Sequence, residues 1–367
     1  MSLQCGIVGL PNVGKSTIFN ALTAAGAQMA NYPFCTIDPN VGVVAVPDPR
    51  LQELSGIIKP QKIVPTSVEF LDIAGLVKGA SQGEGLGNQF LGHIRQVDAV
   101  AHVVRCFEND DVIHVHGRVN PLEDIQVQET ELMLADLAGL EKRIVTLSKR
   151  ARVGDKEAKA QEAVFIKVIE GLNNGVPIRR QGLSAEEKPF VRDLVTAKPF
   201  LYVCNVSEQD ISDLQAGKPH ALVDTVRQYA ASEGAEAIPI CGAIEAEISE
   251  LDGEDKAQFL EGLGVSEAGL DRLIHAAYRL LGLITYFTAG PKEVRAWTIH
   301  QGDTAYDAAG VIHTDFQKGF IRAEVIGYSD YINCRGEVGA KEQGRMRLEG
   351  KEYRVVDGDV MHFRFNV

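Results

Sequence analysis

Cysteine is sparse and scattered in this chain: Cys5, Cys35, Cys106, Cys204, Cys241 and Cys334 are its six cysteines, and no two lie close together. Without close pairs there is no spacing for a zinc site or a disulfide framework, and reduced thiols in the cytoplasm are expected. No apolar run approaches the ~18 residues of a membrane-spanning helix, so no membrane partner is expected. The first residues, MSLQCGIVGL, enter a strand pattern at once and lack the basic and apolar regions of a secretory signal. A basic excess is missing as well. The 37 Lys and Arg stand against 50 Asp and Glu, a net charge of −13, which argues against a surface coated by nucleic acid but leaves a local basic patch open. What remains is ordinary globular composition in 367 residues, a length that suggests two or three domains. Nothing in the sequence sets an oligomeric state.

The most informative stretch is CGIVGLPNVGKSTIFNALT. An apolar strand, Leu3 to Val8, runs into Gly9-x-x-x-x-Gly14-Lys15-Ser16, and a helix follows from about Ser16. This is the phosphate-loop pattern in the context it requires, strand before and helix after. The glycines let successive N–H groups point inward around phosphate oxygens, and the helix N-terminus adds its positive dipole end. Asn12, Val13, Gly14, Lys15, Ser16 and Thr17 are the candidate phosphate contacts. Lys15 neutralises the β and γ phosphates and serves catalysis through that charge, while Ser16 offers a hydroxyl to Mg²⁺. A second strand, VEFLD, ends in Asp72 of the D-x-x-G step Asp72-Ile-Ala-Gly75. Asp72 is the candidate for holding the metal, and the Gly75 N–H for the γ-phosphate. Between the two lies NYPFCTIDP, whose Thr36 is placed to close over metal and γ-phosphate. This order of parts is the layout of the Ras-like switch proteins, not of small-molecule kinases.

In that layout a glutamine directly after D-x-x-G positions the attacking water. Here the position is Leu76, which cannot hydrogen-bond. Gln82, in the glycine-dense stretch 75–88, is one substitute. His114 and His116, in the loop after the strand Ala99–Cys106, are better ones, because that loop begins at the C-terminal strand edge; His93 is a weaker third.

GLPNVGKST, NYPFCTIDPN, DIAGLVKGASQGEGLGNQFL, CFENDDVIHV and HTDFQKGFIRAEVI together resemble the YchF subfamily of Obg-like ATPases, over nearly the whole chain. The resemblance implies an α/β P-loop Ras-like domain with an inserted helical coiled coil and a C-terminal β-grasp-like TGS domain. It implies ATP hydrolysis to ADP and phosphate and association with ribosomes, beside the Mg²⁺ and the cytoplasm already expected from the phosphate loop and the cysteines. It also implies a loop histidine in place of the missing glutamine, and His114 is the position that aligns.

Guanine-specific relatives carry N-K-x-D after a later strand, with the aspartate accepting from guanine N1 and N2. This sequence has Asn205-Val206-Ser207-Glu208: the lysine is absent and the carboxylate is one methylene longer. Adenine offers no donor at N1 or N2, but its N6 and N7 suit an Asn amide. ATP is therefore expected over GTP. Cys241, Gly242 and Ala243, where relatives carry S-A-K, are expected at the base edge. Alternatives are a GTPase with a degenerate base motif and a scaffold in which ATP turnover is incidental.

The expected domains are 1–128 and 200–280 for the nucleotide domain, 129–199 for the insert and 281–367 for the TGS domain. Met133, Leu137, Leu140, Ile144 and Leu147 form a heptad seam, which Phe165, Ile169 and Leu172 continue after a break at Gly154-Asp155. Two antiparallel helices of ~20 residues would project roughly 30 Å. The tip between them is basic (Lys142, Arg143, Lys149, Arg150, Arg152, Lys156, Lys159), and with the TGS domain it is the expected contact to ribosomal RNA. The C-terminal part shows strand patterns at Arg295–Ile299, Gly319–Ile326, Glu352–Val356 and Asp359–Phe365, with Trp297 read as core.

Overall fold

The computed structural model describes residues 3–27, 40–73, 86–109, 114, 117–251, 253–265 and 267–366, with backbone alone at 25–27, 86–89 and 253. Its strands are β1 (Gln4–Gly9), β2 (Val41–Ala45), β3 (Lys62–Val64), β4 (Ser67–Asp72), β5 (Ala99–Arg105), β6 (Phe200–Asn205), β7 (Ala237–Ile240), β8 (Leu283–Ala289), β9 (Glu293–His300), β10 (Phe320–Gly327), β11 (Arg347–Glu349) and β12 (Asp359–Phe365). They form two six-stranded sheets and fall into two compact units, residues 1–43 with 69–277 and residues 44–68 with 278–367.

In the first unit the strand order is β2-β4-β1-β5-β6-β7, and β4, β1, β5, β6 and β7 pair in parallel. Every residue of β5 and β6 is buried, as strands covered on both faces must be. Chain order reverses at β1, which lies between β4 and β5, and an open α/β sheet binds its ligands at the carboxyl ends around such a point. Helix α1 (Lys15–Ala27) leaves directly from the loop after β1.

The second unit gathers β3 and α2 (Pro49–Ile58) with the C-terminal sheet, in the order β11-β10-β12-β8-β9-β3. Residues 44–68, expected inside the first stretch of the nucleotide domain, thus belong to this unit: β3 pairs with β9 in register Lys62 to Glu293, and Leu51 and Leu54 of α2 are buried with Phe287, Val294 and Val360. Helix Ala305–Ile312 buries Ala305, Ala308 and Ala309 against Tyr286, Ala323 and Phe363, one helix on a mixed sheet in the β-grasp manner. Residues 352–356 hold a single bridge, Thr304 to Arg354, instead of the expected strand. Their backbone is taken by the loop before that helix, with Tyr353 O accepting from Ala305 N–H at 2.8 Å and Val355 N–H donating to Asp303 O at 3.1 Å. Trp297 is half-buried, stacks on Tyr286 and donates from Nε1 to Thr288 Oγ1 at 2.9 Å.

The insert is a helical hairpin of unequal arms within the first unit. After α3 (Leu86–Gln96), α4 (Pro121–Arg152) runs for 32 residues and α5 (Lys156–Asn173) for 18. The extra length lies in the first turns of α4, where Ile125 and Leu132 pack on the sheet with Val104 and Val100. The expected start of the insert at 129 therefore falls within a continuous helix. Farther along, Met133, Leu140 and Leu147 bury against Phe165, Val168 and Leu172. At the turn, Gly154 takes φ +95° and Asp155 caps α5 by accepting from Ala158 N–H at 3.0 Å.

The root of the hairpin is pinned by Asp136, whose 0% exposed carboxylate accepts from Val195 N–H (3.0 Å), Thr196 N–H (2.8 Å) and Thr196 Oγ1 (2.8 Å). Asp136→Ala would leave two buried N–H groups unpaired, so urea denaturation should show a loss of about 2–4 kcal/mol. Asp136→Asn, which keeps one acceptor, should lose less.

Candidate functional site

Apart from His114, each expected site residue in the described part lies at or just beyond the carboxyl end of a strand: Asn12 to Thr17 after β1, Asp72 ending β4, Asn205 ending β6 with Val206 and Glu208 after it, and Cys241 to Ala243 after β7. In the loop after β1 the backbone turns through positive φ at Asn12 (64°) and Gly14 (91°), which aims successive N–H groups to one side. A Cβ on Gly14 would stand 2.1 Å from Asn205 Nδ2, so close approach and φ both require glycine there. Val13 is buried, whereas Ser16 and Thr17 are exposed in the first turn of α1.

Lys15 Nζ and Asp72 Oδ1 form an ion pair. The lysine expected for phosphate and the carboxylate expected for metal are thus side by side, with the Ser16 hydroxyl on the residue following the lysine. A carboxylate and a hydroxyl are hard oxygen donors that fit Mg²⁺.

Asn205 is 5% exposed and braces this edge: Nδ2 donates to Val13 O at 2.9 Å, and Oδ1 accepts from Gly242 N–H at 3.0 Å. The second bond satisfies an N–H in the first turn of helix Gly242–Ser249, whose N-cap residue Cys241 makes no side-chain cap. One donor hydrogen and one acceptor lone pair of the amide are therefore already engaged by the protein, and only the remainder of its capacity is left for a base.

A cavity of about 740 Å³ opens here, and Asn12, Gly14, Thr17, Asn205, Val206, Glu208, Cys241, Gly242 and Ala243 all line it. Val206 is buried, while Glu208 is exposed at the first position of helix Glu208–Gln215, where its charge favours the helix dipole. Ser207 and Asp210 form the capping box of that helix, so Ser207 too has a structural task. Burial pushes the Cys241 thiol up, against the N–H groups of Ile244 and Ala243 and with the help of Glu208, so this end of the cavity presents a neutral thiol.

Besides Ser207 and Gln209, three lining residues escaped sequence reasoning: Phe107, Glu108 and Asn109. They are held by Arg105, 1% exposed at the end of β5, which donates to Phe107 O (3.0 Å) and Asn109 O (3.1 Å) and lies 4.6 Å from the Phe107 ring centre. An arginine ending a strand that is apolar but for His102 was the available signal. His114 is 6% exposed and joins Asp124 Oδ2 through Nε2 at 2.9 Å, with Asp124 in the first turn of α4. His93 is exposed on α3. Thr36, Gly75, Leu76, Gln82 and His116 lie outside the described residues.

A family model described as 50S ribosome-binding GTPase matches residues 4–124, and the YchF-GTPase C-terminal model, described as a protein of unknown function, matches residues 283–366. Along its whole length and theirs, the chain is 59% identical to the "Ribosome-binding ATPase YchF" of Haemophilus influenzae and 56% identical to that of Bacillus subtilis. The chain belongs to the YchF family. A solved structure, the Schizosaccharomyces pombe YchF GTPase, is 39% identical, with a TM-score of 0.87 over 99% of this chain and 98% of that one. The chain is accordingly an NTP-hydrolysing enzyme of the P-loop type, as expected from its loop and D-x-x-G step. The full-length match to YchF proteins also carries the expected fold class: an α/β P-loop domain, a helical insert and a C-terminal β-grasp-like domain.

The brace gives a direct test. Asn205→Ala leaves a buried N–H and a buried carbonyl without partners, so stability should fall by roughly 1–3 kcal/mol and nucleotide affinity with it. Asn205→Asp keeps the acceptor for Gly242 N–H but opposes Val13 O. It should recover only part of both in denaturation and nucleotide titration.

Proposed function

We propose that this chain is a Mg²⁺-dependent ATPase, acting in the cytoplasm as a nucleotide switch that binds ribosomes in one nucleotide state. The observation that carries the ATP preference is the base end of the 740 Å³ cavity. Its lining holds Asn205, Val206, Glu208 and Cys241 to Ala243, and no lysine or aspartate in the places a guanine reader uses them. With GTP, guanine N1 and N2 hydrogens would meet no matching short carboxylate, and each unpaired buried polar group costs about 1–3 kcal/mol. The names of the curated relatives, which call them ribosome-binding ATPases, support the same reading. A GTPase reading is favoured by the wording attached to the S. pombe structure.

In this proposal Ser16, Thr36 and Asp72 hold the metal, which supplies charge neutralisation to the β and γ phosphates. Lys15 exchanges its Asp72 partner for phosphate oxygen, and the N–H groups of residues 12–17 and Gly75 bind the remaining oxygens. Asn205 meets adenine with the amide capacity that Val13 and Gly242 leave. His114 orients the attacking water, and Asp124 fixes its ring and is a positioning residue. The hairpin tip and the C-terminal TGS domain are the proposed ribosomal RNA contacts. At the tip, Arg143 pairs with Asp193 and Arg150 with Asp155, so the cations without an ion pair among the described residues include Lys149 and Arg152.

Calorimetric titration should give tighter binding of ATP than of GTP; the reverse order would sink the ATP assignment. His114→Ala should lower kcat by roughly a hundredfold or more while ATP affinity stays within a few-fold. Undiminished turnover would move the role to Gln82 or His116. Lys149→Glu with Arg152→Glu should weaken cosedimentation with ribosomes in a salt-dependent way, and unchanged cosedimentation would exclude the tip.

A further inference from the structure

A second cavity, of about 880 Å³, lies in the first unit at the opposite edge of the same sheet. Its walls are residues 95–98, where α3 leads into β5, and parts of residues 178–199, the stretch between α5 and β6. Asp98 directly precedes β5 and Pro199 directly precedes β6. The cavity therefore sits at the amino ends of strands whose carboxyl ends face the nucleotide cavity.

Five cationic side chains line it against two carboxylates. Both carboxylates are engaged: Asp98 Oδ2 accepts from Gln4 N–H at 3.0 Å, and Asp193 pairs with Arg143 at 2.8 Å. Two of the cations are engaged as well. Lys198 Nζ donates to the carbonyls of Arg95 and Val97 at the end of α3, and Arg179 pairs with Glu129 and Glu233. The other three are Arg95, Lys188 and Arg192. They are exposed, and their charged ends make no hydrogen bond or ion pair among the described residues. Arg95 acts on Asp136 only through space, and that carboxylate is already filled by Val195 and Thr196.

Three like charges around one concavity repel one another, and an anion between them relieves that cost. Two guanidinium forks and an ammonium suit the several oxygens of a phosphate. Between the cations the wall is apolar, with Ile178 and Val191 buried as its floor. The volume falls among small-molecule sites. We propose that this cavity is a second nucleotide-unit site, in which Arg95, Lys188 and Arg192 hold a phosphate and the base lies on the Ile178–Val191 floor. The unit is either one residue of an RNA strand or a free mononucleotide. The site is separate from the hairpin tip and does not depend on which nucleotide the first cavity takes.

The test uses the full chain with one equivalent of Mg–ATP, labelled hexauridylate followed by fluorescence anisotropy, and uridine 5′-monophosphate as competitor. Arg95→Gln with Arg192→Gln should weaken hexauridylate binding at least tenfold. The salt slope should fall by about 0.7, the contribution of the single-strand phosphate that the site holds. Lys149→Glu with Arg152→Glu, at the tip, should leave the competitor's affinity for the cavity unchanged. If the monophosphate displaces the hexamer with comparable affinity, free nucleotide is the source; if it fails to, an RNA strand is, and either result upholds the phosphate site. Should the double variant unfold, Lys188→Gln, a single change at an exposed position, should still lower affinity several-fold. Full binding of both probes by the folded variants, or binding of neither probe by the unaltered chain, overturns the proposal.

Discussion

Three separate chain segments meet at the nucleotide edge through one buried amide. Asn205 ends β6, reaches the loop after β1 through Val13 O and the start of helix Gly242–Ser249 through Gly242 N–H. The segments are nearly 200 and 40 residues apart in sequence, so their mutual position rests on that side chain and on the parallel pairing behind it. The constraint propagates. Gly14 must lack a Cβ because the amide occupies that space, and Gly9 must lack one because Val103 O would stand 2.9 Å from it. Glu245, on the helix that Asn205 starts, is buried and accepts from Gly269 and Leu270 N–H groups, so helix Gly269–Leu280 begins from that side chain. Asn205 is thus a structural member of this edge, and changes at 205 alter the phosphate loop with it.

At the other end of the sheet the hairpin is rooted by charge. Arg179 pairs with Glu129 of α4 and with Glu233, and Glu233 also accepts from Arg180 and from Tyr202 of β6. Burial would raise the Glu233 carboxyl, yet Arg179, Tyr202 and Arg180 together hold it below the usual range. The neighbouring His102 ring lacks a partner for Nε2 and is pushed down to about 3 by burial, with Arg179 acting the same way, so it adds no charge to the cluster. Such a network stabilises little over an apolar replacement of equal shape, but removing one member strands the others at about 3–5 kcal/mol. It therefore fixes where the hairpin leaves the sheet more than it strengthens the fold.

What could be read from the sequence was local. The strand–loop–helix around Lys15, the D-x-x-G strand and the heptad seam each depend on neighbours within a few residues; β1, α1 and β4 lie where those patterns put them, and the seam lies within α4. Residues 44–68 could not be assigned that way, because β3 is three residues long and its partner β9 is some 230 positions away. The length of α4 was missed for a related reason. Its first turns carry no heptad seam, since Ile125 and Leu132 pack on a sheet instead of a partner helix. In the site, residue types were legible but their partners were not: that Asp124 holds His114, or that Arg105 holds residues 107–109, appears only once the chain is folded.

Net charge shows the same limit from the other side. A total of −13 suggests a surface that repels polyanions, yet Arg95, Lys188 and Arg192 share one cavity, and Lys149 and Arg152 share one helix end. In physiological salt a charge is felt over about 8 Å. A phosphate approaching either place therefore responds to the local cations and hardly at all to carboxylates elsewhere on the molecule. The acidic remainder disfavours loose, nonspecific contact along the rest of the surface. An acidic chain with a few uncompensated cationic sites is thus better suited to selective recognition of nucleotide phosphate than a uniformly basic one.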